Sequence, residues 1–515
     1  MARKPADEAQ TQQPDRSSAK GQVPRRAVLN TGNAALDTVL GGGIVRNSLV
    51  IVTGPPGAGK TILAQQISFV AARAGLRVIY FTNVSEPHAK LVEHISSFAF
   101  FQPDLIGDRI QIYNITSQIR DKGFRETLAF IVDTVRSEKA DLVIIDSFRG
   151  LKHVLDVNVL DRSATFDVAA QLAILGCTAI LVGEYTPLEI QTDPEFAVAD
   201  GIIDLRHAME GVQERRTLRI IKLRGVSYLS GEHSFAINRT GICVFPRQEA
   251  LFRAPAYRAT EERISTGIAG LDQMMHGGPI RASSTLIAGA AGTGKTVLSL
   301  HFLAAGAAQG ERSLMVTFQE NPEQLAARAA HFGLRDHLGF HQQRTEVLFL
   351  SPVELDLDAA AAAIREAVEA QQIQRVVIDS VAELEYAVRD PERFDDFLAS
   401  LVGFFRGHNV TTLMTRELTQ LFGSQVSIAS RGLSYIVDNI VLLRYVELRG
   451  EIRRALAVLK IRGSDHDKSL RELLIAEGLV AIGQRFEHLA GLMTGLPQPI
   501  GETLAGQPPG VEEES

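Results

Sequence analysis

The sequence predicts an α/β protein of two tandem phosphate-loop domains, each a mostly parallel central sheet with flanking helices. Three observations predict it. Gly54-Pro55-Pro56-Gly57-Ala58-Gly59-Lys60-Thr61 fits the G-x-x-x-x-G-K-[ST] loop in full, after the apolar run Leu49-Val50-Ile51-Val52 and before Ile62-Leu63-Ala64. The motif recurs as Gly289-Ala290-Ala291-Gly292-Thr293-Gly294-Lys295-Thr296, with Lys295 235 positions after Lys60 (295 − 60). The same offset carries Thr31-Gly32 onto Thr266-Gly267 and Leu36-Asp37 onto Leu271-Asp272. A chance motif does not bring its flanks along, so the repeat is domain-sized. Third, short Val/Ile/Leu runs alternate with helical stretches, the pattern of a parallel sheet covered on both faces.

The chain has 515 residues, 45% hydrophobic and 22% charged, which is ordinary globular composition and enough for two cores. A net charge of −7 argues against a large nucleic-acid surface. No apolar stretch reaches the roughly 18 residues of a membrane span. Cys177 and Cys243 lack metal spacing and lie in apolar runs, so both read as buried free thiols, which suits a reducing cytoplasm.

In chain order, residues 1–24 are polar and Pro/Gln-rich and read as a disordered arm. Residues 25–247 read as the first domain. Its strands are the loop strand, 77–82, 141–146 and 178–182, with a helix from about Glu86 to Phe98 and hairpin strands at 218–225, 234–237 and 241–245. Residues 248–262 read as a linker. Residues 263–492 repeat the order, with strands at 314–318, 375–379, 411–414 and 457–463 and a strong Ala-rich helix from Asp358. Residues 493–515 turn to Gly, Pro and Glu and read as a loose tail.

The chemistry follows from the loops. Gly54, Gly57 and Gly59, like Gly289, Gly292 and Gly294, let successive N–H groups converge on a phosphate, and the following helix start adds its dipole. Lys60 and Lys295 are placed to reach the β/γ-phosphates, and Thr61 and Thr296 to ligate Mg²⁺. Asp146 and Asp379 each end an apolar strand at the carboxyl edge, where ligands of open α/β sheets bind, and are placed to hold Mg²⁺ through water. Hydrolysis also needs a group that orients or deprotonates the attacking oxygen. Glu320, in Thr317-Phe318-Gln319-Glu320-Asn321-Pro322, is placed for this. Aligned on the prolines, the first half sets Val84 and Ser85 opposite Gln319 and Glu320, with Glu86 displaced by one residue. Either Glu86 substitutes or the first half hydrolyses slowly.

The doubled RecA-like pattern, each half beginning T-G-x-x-x-L-D and ending K-x-R-G, resembles the circadian-clock ATPase KaiC and its relatives over residues 26–490. The most specific stretch is 443–451 with Lys460-Ile461-Arg462-Gly463-Ser464-Asp465-His466-Asp467-Lys468. The resemblance implies two-tiered homo-hexameric rings with ATP between neighbouring subunits. It implies that Lys222, Arg224, Lys460 and Arg462 reach ATP on the adjacent protomer. It also implies autophosphorylation in the second domain, where Ser434 keeps the acceptor Ser and Tyr435 replaces the neighbouring Thr. Gln319 replaces the first of the family's paired glutamates, the one implied as base for phosphotransfer. KaiB-like or histidine-kinase/response-regulator proteins are the partner classes implied. The resemblance thus points to an ATPase and autokinase acting as a slow signalling switch. A RecA-like DNA-dependent ATPase shares the core, but the sequence carries no basic, aromatic-interleaved loop for single strands. A scaffold held together by nucleotide is the third reading.

Overall fold

Among the described residues, the main sheet of each half holds nine strands in one order. The computed structural model describes residues 27–83, 88–153, 170–172, 174–210, 213–252, 260–338, 344–388, 390–418, 433–448, 450–486, 489–490 and 498–499. The arm 1–24, Glu86 and all of the tail except 498–499 lie outside the described residues.

In the first half, β1 (Val28–Leu29) and β2 (Ile44–Val45) form a short ribbon. The main strands are β3 (Leu49–Thr53), β4 (Val78–Thr82), β5 (Ile110–Asn114), β6 (Leu142–Asp146), β7 (Thr178–Gly183), β8 (Gly201–Glu210), β9 (Gln213–Leu223), β10 (Glu232–Asn238) and β11 (Gly241–Phe245). They lie in the order β11-β10-β9-β8-β3-β7-β6-β4-β5. The block from β8 to β5 is parallel, and β8 to β11 run antiparallel as hairpins. β3, β4, β6 and β7 are buried along their whole length, as strands covered on both faces must be, which is why they read as unbroken apolar runs.

The second half repeats this with β12 (Ser284–Gly289), β13 (Ser313–Thr317), β14 (Thr345–Phe349), β15 (Arg375–Asp379), β16 (Thr411–Glu417), β17 (Asn439–Leu448), β18 (Glu451–Ile461), β19 (Arg471–Ala476) and β20 (Leu479–Arg485). Their order, β14-β13-β15-β16-β12-β17-β18-β19-β20, matches the first sheet strand for strand. Helices Lys60–Arg73 and Lys295–Ala308 follow the two loops and are buried on nearly every side. Such all-round burial anchors the loop ahead of each helix, since each fully buried Leu or Ile contributes roughly 1.5–3 kcal/mol.

The segment read as the start of a linker is docked. Gln248–Leu251 forms a short 3-10 turn against the second half. Gln248 N donates to Asp358 Oδ1 at 3.2 Å, and Ser400 Oγ donates to Gln248 O at 2.9 Å. Arg393 bridges Glu249 at 3.0 Å and the buried Asp358 at 2.7 Å. Cys177 is buried as expected, but Cys243 is half-exposed on edge strand β11, within reach of the Thr240 and Asn238 side chains. An edge strand covers only one of its faces, which the apolar run alone does not reveal.

Candidate functional site

Each phosphate loop is fixed by contacts that only its sequence permits. A Cβ on Gly54 would stand 2.1 Å from the Leu205 carbonyl oxygen, so the loop presses against β8 too closely for any side chain. Gly59 and Gly294 cap the loop helices in left-handed conformation, at φ 95° and 110°. A hairpin arginine grips each loop in turn: Arg216 donates to Gly57 O at 2.8 Å, and Arg454 to Gly292 O at 3.3 Å.

The loop lysines fold into their own loops. Lys60 Nζ donates to Pro55 O at 2.8 Å and stands 3.5 Å from Glu184, just past β7. Lys295 Nζ donates to Gly289 O and Ala290 O, both at 2.9 Å. Burial holds both ammonium groups below their ordinary pKa. Glu184 and Asp146 oppose it in the first half, and Glu417, Asp379 and Glu383 in the second. Each lysine is thus a poorly solvated cation beside the loop's backbone N–H groups, well suited to a polyanionic phosphate chain.

The structure brings each loop threonine to its strand-end aspartate. Thr296 Oγ1 donates to Asp379 Oδ2 at 2.6 Å, and the Thr415 hydroxyl donates to Oδ1. In the first half, Thr61 and Tyr80 both hydrogen-bond Asp146, Tyr80 Oη at 2.7 Å; burial, partly offset by these bonds, raises the Asp146 pKa. A hydroxyl beside a carboxylate at the carboxyl edge fits a small hard cation that takes most of its ligands from phosphate and water. Among the described residues no group of three or more His, Cys, Asp or Glu could hold a metal. Mg²⁺ held there would neutralise charge on the transferring phosphoryl group.

Glu320 stands at the end of β13, but its carboxylate is paired with Arg328 of the next helix. Burial raises its pKa and Arg328 opposes this. Gln319 beside it donates to Glu383 Oε1 at 2.6 Å.

The Lys-x-Arg pairs lie elsewhere. Lys222 pairs with Ile202 at the start of β8, and Val50 of β3 faces Gly201, four residues before the loop's Gly54. Lys460 pairs with Ile440, whose neighbour Asn439 faces Thr285, four residues before Gly289. At about 3.3 Å per strand residue, each pair is set back roughly 13 Å from its own loop, toward the amino edge of the sheet. Lys222 Nζ donates to Phe196 O and Ala197 O, both at 3.1 Å, and Arg224 lies 3.8 Å from Asp200. Lys460 Nζ donates to Val437 O at 2.7 Å and to Ser434 O, and Arg462 lies 3.7 Å from Asp438. Ser434 is exposed on the short helix Leu433–Ile436, so the acceptor expected from the resemblance sits beside Lys460 rather than beside its own loop.

Sequence reasoning missed Glu184, Tyr80, Thr415, Glu383 and the gripping arginines. None lies in a spaced catalytic motif; Glu383 alone falls in a spaced pattern, the S-x-x-E of a helix start. The one available signal was Tyr80 itself, since a buried tyrosine hydroxyl needs a partner.

This architecture, with a phosphate loop and a carboxylate-tipped neighbouring strand in each half, defines a tandem RecA-like P-loop ATPase. The family model described as "ATPase: KaiC" matches residues 29–249 and again 264–487. The chain is 31% identical to "Circadian clock oscillator protein KaiC 1" of a Synechocystis species, over 93% of both chains. It is 32% identical to "Circadian clock oscillator protein KaiC" of Thermostichus vulcanus, over 90% of both, and 29% identical to the protein so named in Synechococcus elongatus, over 92% of both. The chain belongs to the KaiC family of ATPases, and ATP is the nucleotide that the family implies. Among the described residues no helix is long and apolar enough to cross a membrane.

Proposed function

We propose that the chain assembles into a homo-hexameric ring that hydrolyses ATP at subunit interfaces and acts as a slow signalling or timing switch, with autophosphorylation on Ser434. The observation that carries the reading is the separation of parts. Each half holds its loop at the carboxyl edge and its Lys-x-Arg about 13 Å back along the sheet. A cation that stabilises the γ-phosphate must stand against it. The pair therefore serves a neighbour's nucleotide, and a heterologous contact of this kind gives a ring when its rotation closes. Lys60 and Lys295 bind phosphate, Thr61, Asp146, Thr296 and Asp379 hold Mg²⁺, and Lys222, Arg224, Lys460 and Arg462 complete the adjoining site. Ser434 is joined to Lys460 through its carbonyl and so lies on the side of the same neighbour, which favours transfer between subunits. KaiB-like or two-component signalling proteins are the partner classes that follow from family membership. A ligand bound between subunits stabilises the assembled state. Light scattering with and without Mg-ATP tests this: a hexamer with nucleotide and smaller species without it are expected, and a monomer at saturating ATP refutes the reading.

A further inference from the structure

We propose that Glu383 is the carboxylate that orients and deprotonates the attacking oxygen at the second site, a role that rests on reading this site as ATP-hydrolysing. The carboxylates near that edge differ in their partners. Glu320 is paired with Arg328, and Glu385 with Arg416 at 2.8 Å. Asp379 is engaged on both oxygens by threonine hydroxyls, the arrangement of a metal carboxylate. Glu383 takes its hydrogen bonds only from neutral donors among the described residues, Gln319 Nε2 on Oε1 and Ser380 Oγ on Oε2, each at 2.6 Å, with the Lys295 ammonium acting on it through space. Each oxygen keeps a second lone pair for an incoming O–H.

The location suits the task. Gln319 follows β13 and Ser380 follows β15, and these strands pair directly, Thr317 opposite Asp379. Glu383 therefore bridges two strand ends beside the Thr296–Asp379 pair. It also lines a cavity of about 380 Å³, walled by Leu355 and Asp356 and by Gln213, Glu214 and Arg215 from the first half's hairpin. That cavity puts Glu383 in reach of solvent.

The first half lacks the group. Helix Phe148–His153 follows Asp146 as helix Val381–Tyr386 follows Asp379, and Gly150 occupies the place of Glu383. A Cβ there would meet Asn83 Nδ2 at 2.2 Å, so no carboxylate fits while Asn83 bridges Ser147. The two halves thus differ in the residue that activates the nucleophile.

In the step, the attacking oxygen bonds to the γ-phosphorus as the bond to the β–γ bridging oxygen breaks. The electron pair leaves with ADP. The proton of the attacking O–H passes to Glu383 and from there to solvent through the cavity. Such a base contributes about 100-fold or more to turnover.

A purely structural role is also written in the sequence, because Ser380-Val381-Ala382-Glu383 fits the S-x-x-E capping box, which accepts Gln as well as Glu. Glu383→Gln therefore separates the two roles. Second-site turnover is the part of Mg-ATP hydrolysis by the full chain that Lys295→Ala removes. Glu383→Gln is expected to keep nucleotide affinity and melting temperature while kcat of that part falls about 100-fold. Glu383→Asp should retain more than Gln. Formate added to Glu383→Ala should restore part of the turnover, a rescue that a cap cannot give. Wild-type turnover in Glu383→Gln, or absence of formate rescue in a folded Ala variant, overturns the proposal. Hydrolysis unaffected by Lys295→Ala instead refutes the ATPase reading of the second site, and this proposal with it.

Discussion

Replacing Asp358 by Asn tests how the two halves are latched. Asp358 is 1% exposed, accepts from Gln248 N and faces Arg393. Burial raises its pKa from 3.8 to about 6, against the opposing Arg393. A folded-state value above the unfolded one means that the folded protein binds the proton more tightly. The stabilisation is complete below about pH 3.8 and is lost as pH rises through about 6. Between pH 7 and pH 5 the wild type should gain about 1 kcal/mol from this residue, most of one pKa unit's worth. Asn keeps the acceptor for Gln248 and cannot titrate, so the difference between the two proteins isolates this group from every other. Urea unfolding of both at pH 5 and pH 7 reads it out. The wild type should gain on the variant at pH 5. A pH-independent difference, or a wild type that gains as pH rises, would mean that the Arg393 ion pair outweighs burial and would refute the reasoning.

Three further outcomes are expected. Lys60→Ala and Lys295→Ala should each abolish nucleotide binding in their own half, the first chiefly weakening assembly and the second chiefly phosphate incorporation, as scattering and labelled ATP would report; loss of label in both with rings intact would contradict the division. Peptide mapping after Mg-ATP incubation should find phosphate on Ser434 that disappears in Ser434→Ala, whereas label confined to Tyr435 would rule out Ser434 as the acceptor. Burial pushes the Cys177 thiol up to about 12, so an alkylating reagent at pH 8 should modify the half-exposed Cys243 and spare Cys177 until the chain unfolds.

The sequence made the parallel core legible because β3, β4, β6 and β7 and their repeats are buried on both faces and so cannot hide their apolar runs. Edge strand β5, Ile110-Gln111-Ile112-Tyr113-Asn114, escaped notice because it is only partly covered and mixes polar residues among the apolar ones. β8 and β17 escaped for another reason: each begins inside the parallel sheet and runs on into a hairpin, so its composition changes along its length. The loops were readable because they match a fixed G-x-x-x-x-G-K-T spacing, and the aspartates because each ends an apolar run. Glu383 and Glu184 were not, since the fold, not the spacing, brings them to the lysines and strand ends. The hairpin arginines Arg216 and Arg454 belong to no sequence motif, and only strand pairing sets them against the loops.

The central claim is that Lys460 and Arg462 serve the second-half loop of a different copy. Chains carrying Lys295→Ala and chains carrying Lys460→Ala with Arg462→Ala should each lack second-half turnover alone. Mixed in equal amounts under subunit exchange, about a quarter of the interfaces join an intact loop to an intact Lys-x-Arg, so up to about a quarter of wild-type second-half hydrolysis should return. A mixture no more active than its separate components would contradict the account.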